Sequence, residues 1–307
     1  MKKLTLICLA VALAMPLALR AGDDMASVPA DLKAPANAST TLAASSKFGM
    51  FDWLDKRSSY GQGVYPEPFL VDDTDLEVNE ARLDWQYSKS GGTDHSNLLT
   101  GEVEKGFGQL TLEVEAPLQI DNAGDGSKSA VNFGNVDVGA RMPFADYVAP
   151  SGNWDTTFGV AMEIGIPTGS AIAETTEVVP KLFNDLRIGD HFTLQSIFGY
   201  STFVGAHDGV GGQQTFEYGF VAGYTITHEQ IAIPGLMQLI PMFELNGAKS
   251  LNFTFANGLT ADAGFRANLK PIGNIQPRLG AAYVFPLDAT ARDDQHWGVV
   301  TSLVFEY

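Results

Sequence analysis

Trp297-Gly298-Val299-Val300-Thr301-Ser302-Leu303-Val304-Phe305-Glu306-Tyr307 closes the chain, and its side chains divide into two unlike sets. Trp297, Val299, Thr301, Leu303, Phe305 and Tyr307 make one set; Gly298, Val300, Ser302, Val304 and Glu306 make the other. Side chains on a strand point alternately to opposite faces, so a period of two marks a strand between two different environments. Soluble sheets also end in alternating strands. What this strand means therefore depends on the other end of the chain.

That end opens Met1-Lys2-Lys3, runs apolar from Leu4 to Leu19, and reaches Ala21 before Gly22-Asp23-Asp24. A charged start, an apolar stretch and a small residue at the cut predict a cleaved secretory signal over residues 1–21. An uncleaved anchor is the competing reading; Pro16 and the short apolar run argue against it. The only cysteine, Cys8, falls in this segment, and bulky Ile7 precedes it where a lipoprotein site needs a small residue. An exported chain without it has no disulfide and no thiol chemistry.

No later stretch reaches the roughly 18–20 uninterrupted apolar residues of a membrane helix. A mean hydropathy of +0.01 suits a soluble protein. It suits a membrane β-barrel equally, because lipid-facing and lumen-facing residues alternate and cancel. The formal charge falls from −17 to −20 once Lys2, Lys3 and Arg20 leave with the signal. Such a protein repels nucleic acid. Its 32 glycines and 19 phenylalanines fit a sheet with many turns and an aromatic belt.

Residues 22–47, rich in Ala, Ser, Thr, Pro and Asp, read as a flexible periplasmic tail. Residues 48–77 carry Phe48, Phe51, Trp53, Tyr60, Tyr65 and Phe69 among glycines and prolines, too aromatic for a linker, and read as a segment packed within the barrel or at its periplasmic mouth, with Phe48, Phe51, Trp53, Tyr60 and Tyr65 as plug or ligand-contacting residues. From residue 78 to 307, alternating segments recur between turn signals. Ala81, Leu83, Trp85 and Tyr87 oppose Arg82, Asp84, Gln86 and Ser88; Phe158, Val160, Met162, Ile164 and Ile166 oppose Gly159, Ala161, Glu163 and Gly165. The stretch 177–187, with Pro180 inside it, is the least regular. The expectation is an all-β, antiparallel up-and-down transmembrane barrel of about twelve strands, an even count that returns both ends to one side.

Two patterns separate this from a soluble sandwich. Aromatics such as Trp85, Tyr87, Phe192, Tyr224, Phe285, Trp297 and Tyr307 gather at segment ends, where interfacial girdles place them. The opposite face is small or charged: many glycines with Arg82, Asp84, Glu102, Glu113, Glu115, Asp137, Arg141, Glu163, Glu217, Glu244, Asp262, Arg266 and Arg278. Charges of both signs confined together can pair, which makes their burial tolerable. These residues are the expected lumen lining.

Gly134-Asn135-Val136-Asp137-Val138-Gly139-Ala140-Arg141-Met142-Pro143-Phe144, followed by Val160-Ala161-Met162-Glu163-Ile164-Gly165-Ile166-Pro167-Thr168-Gly169, resembles the outer-membrane family named after the meta-pathway of phenol degradation (MetA-like). Glu104-Lys105-Gly106-Phe107-Gly108 and Pro241-Met242-Phe243-Glu244-Leu245-Asn246-Gly247 are similar to its other landmarks; Asn135 departs from the usual Asp. The resemblance implies a barrel linked to aromatic degradation and to small-molecule uptake, without catalytic residues to carry over. The closing strand likewise resembles the terminal sorting strand of outer-membrane barrels, with Phe305 and Tyr307 as its assembly signal.

No enzyme site is expected. His95, beside Asp94 and Ser96, sits in a Gly-rich loop without a preorganising scaffold, His207-Asp208 reads as loop solvation, and no histidine pair has zinc spacing. Loop acids Asp121, Asp125, Asp293 and Asp294 could meet Ca²⁺ or bridge lipopolysaccharide through divalent ions, but the sequence shows no ordered cage of six or more oxygens, and solvated loops are the favoured reading. No cofactor or metal is expected. The expected partners are outer-membrane lipid and lipopolysaccharide, the barrel-assembly machinery and a small solute. A passive channel or uptake pathway for small, aromatic or hydrophobic molecules is the leading reading, and excess inward acid favours cations or neutral solutes. A closed structural or surface-interaction barrel, and more remotely an outer-membrane hydrolase, are the alternatives.

Overall fold

The computed structural model describes residues 64–74, 79–91, 94–107, 109–122, 129–170, 172–205, 212–252 and 258–307. The expected signal, the tail and residues 48–63 lie outside them. The strands are β1 (Asn79–Lys89), β2 (His95–Phe107), β3 (Leu110–Asn122), β4 (Ala130–Phe133), β5 (Val136–Val148), β6 (Trp154–Ile166), β7 (Thr176–Ile188), β8 (Phe192–Val204), β9 (Gln214–Tyr224), β10 (Ile226–Thr227), β11 (Leu236–Ser250), β12 (Gly258–Leu269), β13 (Gln276–Pro286) and β14 (Trp297–Glu306). Each long strand pairs antiparallel with the next, β9 pairs β11, and β14 pairs β1. Twelve strands thus close a ring. The short β4 pairs β3 and the short β10 pairs β11.

Closure runs through the carboxyl-terminal strand. Ten registered pairs, from Glu80↔Glu306 to Lys89↔Trp297, join β14 to β1. Beyond them the Tyr307 N–H donates to the Asn79 carbonyl at 3.1 Å, and Asn79 Nδ2 donates to the Tyr307 carbonyl at 2.7 Å. A ring has no unpaired edge, so its backbone is satisfied without water.

The alternation sorts as the sequence predicts. Leu83, Val103, Val114, Leu182, Phe243 and Tyr283 stand exposed on the outside, a face that lipid rather than water would cover. Aromatic clusters mark both ends. Tyr87 and Trp297 lie 5.4 Å apart near the rim with the longer connections, and Tyr147 and Trp154 lie 5.1 Å apart at the opposite rim, here called the lower one.

The irregular stretch 177–187 is a full strand. In the β7–β8 ladder the recorded pairs step from Val178↔Thr202 to Lys181↔Gly199, so Pro180, without an N–H, falls in the gap. Its period is blurred because Val179 and Phe183 are apolar yet point inward, where both are buried. Gly159 on β6 lies beneath the Phe183 ring and leaves no room for a Cβ.

Deleting Tyr307 removes both terminal hydrogen bonds to Asn79 and the rim aromatic. The expected outcome is a lower fraction of heat-modifiable, folded barrel on unboiled gels. An unchanged fraction would show that closure does not need this residue.

Candidate functional site

Residues 64–74 form a strap inside the ring. At the lower rim the Val64 N–H donates to Thr225 Oγ1 at 2.9 Å, and Thr193 Oγ1 donates to the Val64 carbonyl at 3.3 Å. The Tyr65 ring lies under the Arg187 guanidinium, 5.1 Å from its centre. The chain then rises to the middle of the wall. Arg266 donates from Nε to the Glu67 carbonyl at 2.8 Å and from Nη2 to the Pro68 carbonyl at 2.9 Å, and Arg82 Nη2 reaches the same Pro68 oxygen at 2.5 Å.

The firmest grip is at the apex. One carboxylate, Glu244 on β11, accepts the backbone N–H groups of Phe69, Leu70 and Val71 at 2.7, 3.0 and 3.2 Å. Asn246, two residues on and facing the same way, donates to the Leu70 carbonyl at 2.9 Å. Glutamate suits this position because an anion answers three converging donors better than a neutral acceptor. Wall glycines make the space: a Cβ at Gly280 would meet Phe69 Cζ at 2.8 Å, and one at Gly219 would overlap Val71.

Acidic strap residues meet wall cations. Asp72 Oδ2 lies 2.8 Å from Lys181 Nζ, and Asp73 lies 3.3 Å from Arg141. Buried Glu67 pairs with Arg278, which also holds Glu306 at 2.5 Å. Thr74 donates to Asp185 at 2.5 Å and accepts from Gln195 at 3.0 Å.

The lumen has two kinds of wall. An apolar cluster joins Phe69 and Val71 of the strap to Phe183, Ile197, Val221, Met242, Ala282, Val284 and Val300. The apolar patch therefore lies on the strand walls and on Phe69 and Val71, whereas the sequence offers Phe48, Phe51, Trp53, Tyr60 and Tyr65 as the plug or ligand-contacting aromatics. Of these only Tyr65 is among the described residues. The other wall is charged. Arg82 binds Asp84 at 2.5 Å and approaches Glu102 at 3.6 Å; Arg141 binds Glu104 at 2.5 Å and Glu113 at 2.6 Å. The carboxylates of Glu102, Glu104 and Glu113 lie close enough together to hold a metal ion. Arg141 already supplies Glu104 and Glu113 with positive charge.

Glu163 pairs with Lys181. Glu115, Asp137 and Glu217 carry no ion pair among the described residues, and they line the open space. Two cavities, of about 270 and 210 Å³, share Leu70, Val71 and Asp72 as lining. Asp262 and Arg266 are buried beside the strap. Phe305 and Tyr307 stand exposed at the lower rim, outside the lumen.

Sequence reasoning missed Glu67, Asp72, Asp73 and Thr74 on the strap, and Lys181, Asp185 and Gln195 on the wall. The acidic Asp72-Asp73 step just before β1 was a usable signal. The wall residues sit where inward apolar neighbours hide the period.

Comparison of the sequence with protein families finds no match, and comparison with curated proteins finds none. The motif resemblance to the phenol meta-pathway family is thus not supported by a family-level match. The fold is similar to that of the COG4313 outer membrane channel from Pseudomonas putida F1, with a TM-score of 0.52 at 13% identity over 78% of this chain and 98% of that one. The NanC porin aligns with 75% of this chain and 99% of its own at a TM-score of 0.44 and 10% identity. The chain therefore shares the fold of an outer-membrane channel.

Replacing Arg278 by Met leaves buried Glu67 without its cation, at a cost of about 3–5 kcal/mol. Release of the strap relieves that cost. With Cys8 changed to Ser and Leu70→Cys as a reporter, an impermeant maleimide should label the Arg278→Met protein faster than its parent. Equal rates would show that this pair does not hold the strap.

Proposed function

We propose that this protein is a passive outer-membrane channel for small molecules, closed or narrowed at mid-height by its own strap. The observation that carries the reading is the contrast between an apolar exterior and an interior where carboxylates without an ion pair among the described residues line two cavities beside the strap. An inert barrel interior needs its charges paired, because an unpaired buried charge is costly. Glu115, Asp137 and Glu217 fit better in a path that admits water. The likeness to a solved outer-membrane channel agrees with this at the level of fold.

The solute class follows from the walls. An apolar side facing an acidic one suits small, partly apolar molecules that are neutral or cationic. The motif resemblance to a family linked to phenol degradation points the same way, toward aromatic compounds. The remaining expectations belong to this proposal: export by a signal over residues 1–21, a periplasmic tail over 22–47, contact with lipid and lipopolysaccharide, and delivery by the barrel-assembly machinery. A catalytic role has little support, since His95 packs against Tyr87 at 5.6 Å on the upper rim. A closed structural barrel is the second reading, and the density of strap contacts favours it.

Planar-bilayer recordings separate the two. The intact chain should conduct weakly, and deletion of residues 64–74 should raise conductance several-fold. Absence of current in both proteins would sink the channel reading. In a salt gradient the strap-deleted channel should prefer cations, and the combined Glu115→Gln, Asp137→Asn and Glu217→Gln substitutions should move its reversal potential toward zero. An unmoved potential would mean that these carboxylates do not set selectivity.

A further inference from the structure

Glu244 and Asp262 are register partners on β11 and β12, and neither is exposed to solvent. Their neighbours around the ring are apolar. Val221 on β9 stands opposite Glu244 and Val284 on β13 stands opposite Asp262, both fully buried. Two carboxyl groups therefore meet in a dry setting.

Their hydrogen bonding is unequal. Glu244 accepts three strap N–H groups, whereas no donor reaches either oxygen of Asp262 among the described residues. The residue that stands opposite Asp262 across the β11–β12 ladder is Glu244 itself. Nor does a cation among the described residues form an ion pair with either carboxyl. Arg266 on β12 lies over the Phe69 ring, 4.0 Å from its centre, and gives its hydrogen bonds to the Glu67 and Pro68 carbonyls. On β1, Arg82, Asp84 and Glu80 face Arg266, and Arg82 is engaged with Asp84. Strap residue Glu67 is taken by Arg278 of β13.

Two carboxylates this close and this dry cannot both keep their charge, so the pair holds one proton between them. Three N–H donors mark Glu244 as the ionised member. The proton then sits on Asp262, whose O–H would donate to Glu244 and so account for one of its two otherwise orphaned oxygens.

We propose that Glu244 and Asp262 form a single-proton site that locks the strap in the lumen. With one proton bound, Glu244 is an anion fixed toward the strap. Loss of that proton sets a second negative charge against Glu244 and disrupts its aim. Gain of a second proton neutralises Glu244 and weakens its hold on the strap backbone. This rests on the reading of the strap as the closing element, and its test follows strap position separately from conductance.

A nitroxide attached at Leu70→Cys, with Cys8 changed to Ser, reports strap position by its electron paramagnetic resonance line shape in the refolded, full-length barrel. As pH rises the mobile-to-immobile ratio should climb from a low value, by about tenfold per pH unit where one proton leaves. Asp262→Asn, which has no proton to lose and still donates to Glu244, should keep the label immobile throughout. Glu244→Gln, which has lost the anion, should be mobile at neutral pH. A wild-type profile superimposable on that of Asp262→Asn would overturn the proposal. The expected mobility changes without a matching rise in bilayer conductance would uphold the proton lock and defeat the channel reading instead.

Discussion

A backbone that crosses lipid has no water to satisfy its polar groups, and the β1–β14 ladder is where this chain meets that requirement. Without that last set of pairs, two strands would present open edges to hydrocarbon. Everything else is arranged around the closed ring. It sets which residues face out, it creates an interior at all, and it brings residues far apart in the chain, such as Glu67 and Arg278, into contact.

Inside the ring the constraint reverses. Outward residues need only be apolar, but inward ones must fill space and settle their charges. The wall does this in two ways, with valines, Ile197 and Phe183 on one side and arginine-centred carboxylate groups on the other. The strap joins the two. Its Phe69 and Val71 enter the apolar cluster, while Asp72 and Asp73 meet Lys181 and Arg141. One short segment thus finishes both kinds of packing.

The barrel was legible in the sequence because each face of most strands keeps one character. Leu83 and Trp85 against Arg82 and Asp84 is such a case, and the expected barrel of about twelve strands closes through the β1–β14 ladder. β7 was obscure because Phe183 and Val179 point inward although they are apolar, and Pro180 interrupts one ladder. The strap was harder still. It is held largely through its own backbone N–H and C=O groups, which every residue type carries, so no periodicity announces it. The conspicuous aromatics begin at Phe48, whereas the polar partners of Glu244, Arg266 and Lys181 run from Glu67 to Asp72.

The strap is also covalent with the wall it touches, since only residues 75–78 lie between Thr74 and β1. A tether this short gives an intramolecular partner an effective concentration in the millimolar range. Occupancy of the lumen is then first-order in the protein: dilution does not empty it, and neighbouring copies do not compete for it. Any solute that displaces the strap by contesting its sites faces a rival that cannot diffuse away, so the ratio of its concentration to its dissociation constant must exceed a fixed internal term.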